Sequence, residues 1–290
     1  MSFTGLGLST TLAGDALHRV ILTDDGNSIT AGSHVQIADG LRNATGLAFD
    51  PDTGDLYIGD NGIDGLVNAN EPHSADELNV ISVADLGGAI EDFGFPDTFE
   101  EYRTGNTIGN TGIDPLVPYQ PIPIPNGEES EGVNDIVFAP TTFPEAAQGV
   151  WGGFHGIFSD SGTSNEENPV VVADPATGDY FHIISNDHEG AGHLDGLLAT
   201  ADTIYLADIS PPNGFVAGAG VIYAIRAAQA ALAGDYNGDG VVNAADYVEW
   251  RDTLGDNVGG AGNGQLDGAD GNDNGVIDQA DYDRWVSNFG

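Results

Sequence analysis

Two twelve-residue stretches near the C-terminus carry oxygen-bearing side chains at matched positions. The first is Asp235-Tyr-Asn-Gly-Asp-Gly-Val-Val-Asn-Ala-Ala-Asp246, and the second, starting 35 residues later, is Asp270-Gly-Asn-Asp-Asn-Gly-Val-Ile-Asp-Gln-Ala-Asp281. Asp or Asn stands at positions 1, 3, 5, 9 and 12 of both, glycine stands at 6, and an aliphatic pair follows. Calcium takes six to eight hard oxygen ligands, and this spacing folds them around one point. The glycine permits the sharp turn, and the position 7 carbonyl completes the set. The expected ligands are the side chains of Asp235, Asn237, Asp239, Asn243 and Asp246 with the Val241 carbonyl. In the second loop they are Asp270, Asn272, Asn274, Asp278 and Asp281 with the Val276 carbonyl. Three carboxylates per loop offset the charge of one divalent ion. Acidic surface turns are the plainer reading, and two loops in one register weigh against it.

Each loop leads into a segment with aromatic and aliphatic residues at helical spacing: Tyr247, Trp250 and Leu254, then Tyr282, Trp285 and Phe289. The spacing predicts two amphipathic helices that hold the loops. A paired EF-hand would need a helix entering the second loop, and residues 259–268, Gly-Gly-Ala-Gly-Asn-Gly-Gln-Leu-Asp-Gly, cannot supply one. Position 12 is Asp where an EF-hand has Glu. Loop followed by helix, twice over residues 234–290, resembles a type I dockerin. That resemblance implies calcium-dependent folding and a docking partner, cohesin-like or another cell-surface protein. Positions 10 and 11, small hydroxyl residues in that family, are Ala244-Ala245 and Gln279-Ala280 here, which leaves the identity of the partner open.

Composition narrows the rest. The 290 residues carry 46 Asp and Glu against 6 Lys and Arg, a formal charge of −40, and all six cations are Arg. Such a field repels phosphate, so nucleic acid is excluded as a partner and cations are favoured. No run approaches the ~20 apolar residues of a membrane span. The first residues, Met-Ser-Phe-Thr-Gly-Leu-Gly-Leu-Ser, do not read as a signal peptide. With no cysteine, disulfides, thiolate metal sites and cysteine nucleophiles are absent.

From Asp15 to Arg226 the chain consists of short β-branched or aromatic runs bounded by Gly, Asp, Asn and Pro. Three hairpins recur, at 46–58, 134–154 and 196–207, and further strands are expected at His18–Leu22, Pro169–Ala173, Tyr180–Ile184 and Val221–Ile225. Repeated hairpins in an all-β chain predict a propeller-like domain of about four blades over residues 1–226. A helix-prone linker spans 227–233, and the small α-helical calcium-binding domain spans 234–290. The proline-rich stretch Asp114–Glu131 reads as a long inter-blade loop.

Within the β-region, Leu41-Arg42-Asn43, Thr53-Gly-Asp-Leu-Tyr57, Asp76-Glu77-Leu-Asn-Val-Ile81 and Asp92-Phe-Gly-Phe-Pro96 follow one another in order. These motifs resemble the signature of the soluble glucose/sorbosone dehydrogenases, six-bladed propellers that oxidise sugars with pyrroloquinoline quinone (PQQ) and calcium. The resemblance spans most of 15–226 and implies a secreted, sugar-directed propeller, its four blades an incomplete six-blade ring. It places Arg42 and Asn43 against the quinone and the carbonyls of Gly62 and Ile63 on the cofactor calcium. Asp76 and Glu77 would support that loop or a structural calcium.

The chain departs from that pattern in three ways. The family's general base is a histidine in an early blade, but only His18 and His34 precede Arg42. The several cations that hold the quinone carboxylates reduce here to Arg42 and Arg103. The family's Glu-His-Gly or Glu-Gln-Gly is Asp60-Asn61-Gly62. His73, His155 and His193 are the remaining candidates for a base. The sequence therefore supports an extracellular or cell-surface sugar oxidoreductase-like propeller, tethered by the dockerin-like module and without an identifiable catalytic base. The alternative is a non-catalytic propeller that binds glycan or protein.

Overall fold

The computed structural model describes residues 12–63, 70–120, 132–155, 170–184, 194–208, 220–227, 232–258 and 268–290. The chain divides into two compact units, Met1–Ala227 and Ala228–Gly290.

Four antiparallel sheets dominate the first unit. One joins β1 (Leu17–Asp24) and β2 (Ile29–Asp39), with the two-residue β6 (Glu91–Asp92) added in parallel beside β2. Another is ordered β3 (Ala44–Phe49), β4 (Leu56–Asp60), β5 (Glu77–Ile81), β9 (Val117–Pro118). A third runs β10 (Val133–Phe138), β11 (Val150–Phe154), β12 (Val170–Ala173), β13 (Tyr180–Ile184), and a fourth β14 (Leu194–Ala199), β15 (Thr203–Asp208), β16 (Val221–Arg226). A small hairpin of β7 (Phe99–Glu100) and β8 (Thr107–Ile108) lies beside them in sequence. Among the described residues no sheet closes on itself. This is an all-β, propeller-like arrangement, and the expected hairpins at 46–58, 134–154 and 196–207 are its β3–β4, β10–β11 and β14–β15 pairs.

Strand periodicity explains the packing. Successive side chains point to opposite faces. Leu56 and Ile58 therefore meet Ile37 and Ala38 of the first sheet and Leu41 just after it, while Tyr57 turns the other way to Val133, Ile136 and Phe154 of the third. On β12, Val171 joins that same core, whereas Val170 and Val172 pack with Trp151, Leu194, Ile204 and Leu206 towards the fourth sheet. Central strands buried on both faces read as unbroken apolar runs, as Val-Val-Val-Ala does here. Close stacking leaves no room at Gly153, where a Cβ would overlap the Leu194 carbonyl oxygen.

Part of the proline-rich stretch read as loop forms β9. Its Val117 is buried and pairs with Leu78, which widens the second sheet to four strands. Residues 121–131 of that stretch, and 228–231 of the expected linker, lie outside the described residues.

The second unit holds helices α1 (Ala244–Thr253) and α2 (Gln279–Asn288). Asn243 and Asp278 cap them, and Asp246 and Asp281 at the third helical position return the bond to the cap N–H, so each start is a reciprocal capping box. The repeat folds with internal two-fold reciprocity. Trp250 Nε1 donates to the Asp278 carbonyl at 2.8 Å, and Trp285 Nε1 donates to the Asn243 carbonyl at 2.9 Å. Likewise the Gly255 N–H reaches Ile277 O and the Gly290 N–H reaches Val242 O. Tyr247, Trp250, Tyr282 and Trp285 form the aromatic seam between the helices. Leu254 and Phe289, expected on that seam, are instead exposed at the helix ends, Phe289 resting on Trp285.

Candidate functional site

The C-terminal loops gather their carboxylates with backbone N–H groups. Asp235 accepts from Gly238, Asp239 and Gly240, and Asp246 accepts from Tyr236, Asn237 and Asn243. In the second loop Asp270 accepts from Asn274 and Gly275, while Asp281 accepts from Asn272 and Asp278. Asn237, Asp239 and Asn274 each accept from the backbone two residues on, and Asn243 and Asp278 cap the helices. A carboxylate oxygen has two lone pairs, so an N–H on one leaves the other for a ligand.

Asp246 and Asp281 are fully buried and Asp270 is 2% exposed. Buried carboxylates are ordinarily paired or bound to a metal. Among the described residues no cation pairs with them: the ion pair found in this unit is Arg251 with the exposed Asp252. Asn272 Oδ1, at position 3 of the second loop, is buried with no hydrogen-bond partner. Burial raises the Asp281 carboxyl above its usual range, reinforced by Asp270 and Asp278 and only partly offset by its two N–H donors. In the first loop burial is outweighed by the Asn243, Asn237 and Tyr236 N–H groups, and Asp246 is lowered. An orphaned oxygen, buried acids and hard oxygen donors fit a calcium ion. Among the described residues no three carboxylates or imidazoles converge on a single point. The donor set is mixed, with amide and carbonyl oxygens alongside the acids.

Tyr236, at position 2 of the first loop, is a residue that the ligand pattern passes over. Its hydroxyl donates to the Asp281 carbonyl across the repeat at 2.5 Å. The equivalent residue in the second loop is Gly271, where a Cβ would stand 2.5 Å from that hydroxyl oxygen. The departure from strict repetition at position 2 is the sequence signal for this lock.

In the first unit, Arg42, Asn43, Asp60, Gly62, Asp76 and Glu77 lie at one end of the second sheet. Asp60 accepts the backbone N–H groups of Arg42 at 2.9 Å and Asn43 at 2.6 Å. The Arg42 guanidinium bonds Glu71 through Nε and Nη2 and the Asn61 carbonyl through Nη1. Asp76 accepts from Gly62 at 2.7 Å and Gly132 at 3.3 Å, tying the Gly62-Ile63 loop to the start of β10. Gly62 leaves no room for a side chain there, since a Cβ would overlap the backbone of Ser74 and Ala75. The Ile63 side chain is buried, and its N–H goes to Ser74 O.

Glu77 stands directly opposite Asp60 across the β4–β5 ladder. Burial, with Asp60 and Glu100 close by, pushes Glu77 up to about 8, although Asn79 donates to it. Burial likewise raises Asp60 to about 6 against its two N–H donors and Arg42. Arg42, Asp60, Asn61, Ser74 and Glu77 line a recess of about 10 Å³, room for about one water. The sequence reading missed Glu71 and Glu100, whose separation from the motifs hides them. Asn79 was within reach, as the Asn of the Asp-Glu-x-Asn motif.

Among the described residues no histidine lines this recess. His73 is exposed and sits edge-on to Tyr102. His155 Nδ1 lies 3.4 Å from Asn134 Nδ2, and His193 lies outside the described residues. A quinone with three carboxylates does not fit the described recess. It is too small, two acids line it, and the guanidinium that would meet the quinone is engaged by Glu71.

No protein-family model matches the chain, and no curated protein does. Among solved structures, the chain is similar to a Thermus thermophilus protein named as an oxidoreductase (glucose dehydrogenase), at 18% identity, 64% coverage of this chain, 45% of that one and a TM-score of 0.37. It is also similar to the Trichoderma reesei carbohydrate-active enzyme of family AA12, in an iodide structure (17% identity, TM-score 0.39) and a calcium structure (16%, TM-score 0.37), each covering 66% of this chain and 54% of that one. The chain thus spans about half the length of the structures it matches.

Proposed function

We propose that this chain is an extracellular, sugar-directed propeller displayed by a calcium-dependent, dockerin-like module, and that its Arg42 face binds rather than oxidises. The observation that carries the tethering role is the pair of interlocked loops, with three buried carboxylates and the orphaned Asn272 oxygen. Calcium bound there would neutralise Asp235, Asp239 and Asp246 in one loop and Asp270, Asp278 and Asp281 in the other. Binding would fix the caps of both helices and so present one helical face to a protein partner, cohesin-like or otherwise. A resemblance in ordered motifs supports a sugar-oxidoreductase ancestry for the propeller. The Arg42–Glu71 pair and the Asp60–Glu77 pair favour a non-catalytic face, where hydroxyl-rich glycan or a protein could bind without a quinone.

Calorimetric titration of the full chain is expected to find two calcium ions, one lost in Asp246→Asn and the other in Asp281→Asn. No bound calcium would remove the tethering role. For the propeller, the chain is mixed with PQQ, calcium and a panel of aldoses, and dye reduction is followed. Turnover would overturn the binding role, whereas glycan binding without turnover would support it.

A further inference from the structure

The first sheet carries two histidines that neither the Arg42 end nor the calcium loops use. Strands β1 and β2 pair with His18 opposite Gln36, Arg19 opposite Val35 and Val20 opposite His34. Side chains alternate between the two faces of a sheet, so His18, Val20, His34 and Gln36 share one face. Val35 and Ile37, on the other face, pack into the core with Leu56 and Ile58. His18 and His34 are therefore diagonal neighbours on the face turned away from that core, a relation within reach of long side chains.

The two rings lie 5.8 Å apart between centroids and are tilted by 55°. His18 Nε2 stands 3.3 Å from the Ala13 carbonyl oxygen. A carbonyl only accepts, so in the neutral imidazole Nε2 carries the proton and Nδ1 the lone pair. That Nδ1 is shielded from solvent and has no hydrogen-bond partner. A buried polar atom is ordinarily paired, so this lone pair asks for a group from outside the chain. An imidazole that gives its other N–H to a backbone carbonyl is also the arrangement that orients a histidine as a metal ligand.

Distances decide what fits. With metal–nitrogen bonds of about 2.0–2.1 Å at a tetrahedral or wider angle, two imidazoles on one ion have centroids about 5–6.5 Å apart. The observed spacing lies in this range. Beside His18, the Gln36 Nε2 donates to the Ala38 carbonyl at 3.3 Å, which leaves its Oε1 as an oxygen donor. No third His, Cys or acid joins them among the described residues. Calcium takes oxygen ligands, whereas imidazole suits zinc, copper and nickel. We infer that His18 and His34 form a two-histidine site for a divalent ion of the zinc class, with the Gln36 amide oxygen and solvent completing its shell. The ion staples β1 to β2 below a hairpin tip, residues 21–30, that is exposed throughout. A charge of −40 draws any cation, and the imidazoles select this class.

The test is calorimetric titration of the calcium-saturated full chain with zinc, at a pH above the ordinary imidazole pKa of about 6.5. One zinc ion per chain is expected. Its affinity should fall at least about ten-fold in His18→Gln and in His34→Gln, since loss of even an outer-shell partner costs about 10–100-fold. Both histidines are partly exposed, so the variants should melt with the parent when zinc is absent. His73→Gln, at an exposed histidine elsewhere in the same unit, should leave zinc affinity unchanged. In the unsubstituted chain, zinc should shift the ring-proton resonances of His18 and His34 alone among the histidines, and should raise the melting temperature of the first unit. No saturable zinc site under saturating calcium, or no shift at these two rings, would overturn the proposal. So would equal weakening in His73→Gln, which means diffuse attraction. Zinc lost in Asp246→Asn and Asp281→Asn but retained in the histidine variants would place it in the calcium loops and overturn the proposal as well.

Discussion

Two clusters of acids, one in each unit, are held by opposite means. In the C-terminal loops Asp235, Asp246, Asp270 and Asp281 are each met by two or three backbone N–H groups. At the end of the second sheet, Asp60 and Glu77 face one another because the ladder sets them opposite, and like charges so placed repel. The loops relieve their charge with backbone dipoles. The sheet end relieves it with protons, Glu77 holding one up to about pH 8. In a chain of −40, an acid cluster by itself therefore does not identify a metal site.

The broadest way to break this comparison is to withhold the proposed calcium. Chelation with excess EDTA is expected to abolish most of the helical circular dichroism, because α1 and α2 are the α-helices among the described residues and both are capped by loop residues. The β-signal of the first unit should persist. Trp250 and Trp285, two of the three tryptophans, would report the change by fluorescence while Trp151 stays buried in the first unit. Helices that survive chelation intact would show that capping and the aromatic seam suffice without metal.

Next in size are substitutions of the clamping acids. Asp246→Ala strips the partner from three backbone N–H groups at once and should cost about 1–3 kcal/mol for each donor left buried in the second unit. In the first unit, Gly62→Ala forces a Cβ into the Ser74 and Ala75 backbone and should cost about 1–3 kcal/mol. Each is read from the denaturation midpoint of its own unit. A cost shared across both transitions would contradict the division into independent clusters.

The turns and helix starts of the two loops were legible in the sequence because the residues that make them lie within twelve positions and local geometry decides their hydrogen bonds. The strands and hairpins were legible for a similar reason, since period-two patterns between Gly, Asp and Pro turns are local. The Arg42 end was legible only in part. Asp60 and Glu77 are visible residues, but their opposition depends on the β4–β5 register, and the Glu71 partner depends on a contact across 29 residues of chain. Strand β9 was hidden within prolines because its pairing to Leu78 spans nearly forty residues. Tyr236 escaped the ligand pattern because its partner belongs to the other copy of the repeat.

The smallest expected effect is also the one that separates protons from cations most directly. A carboxyl whose folded pKa is raised binds its proton more tightly in the native state than in the unfolded chain. Between the unfolded value, about 4.3 for Glu, and the folded value of about 8, the native state therefore carries the extra proton, and stability falls as pH rises. Asp60 acts in the same direction over a lower window, ending near pH 6. With calcium present to hold the second unit, the melting temperature of the first unit should decline from about pH 5 to about pH 8. Glu77→Gln, which keeps the shape of the protonated acid, should flatten that decline above about pH 6 and raise the melting temperature at about pH 8. A calcium-dependent melting temperature for the first unit at that higher pH, abolished by the same substitution, would mean that Glu77 holds a cation after all and that the two clusters work alike.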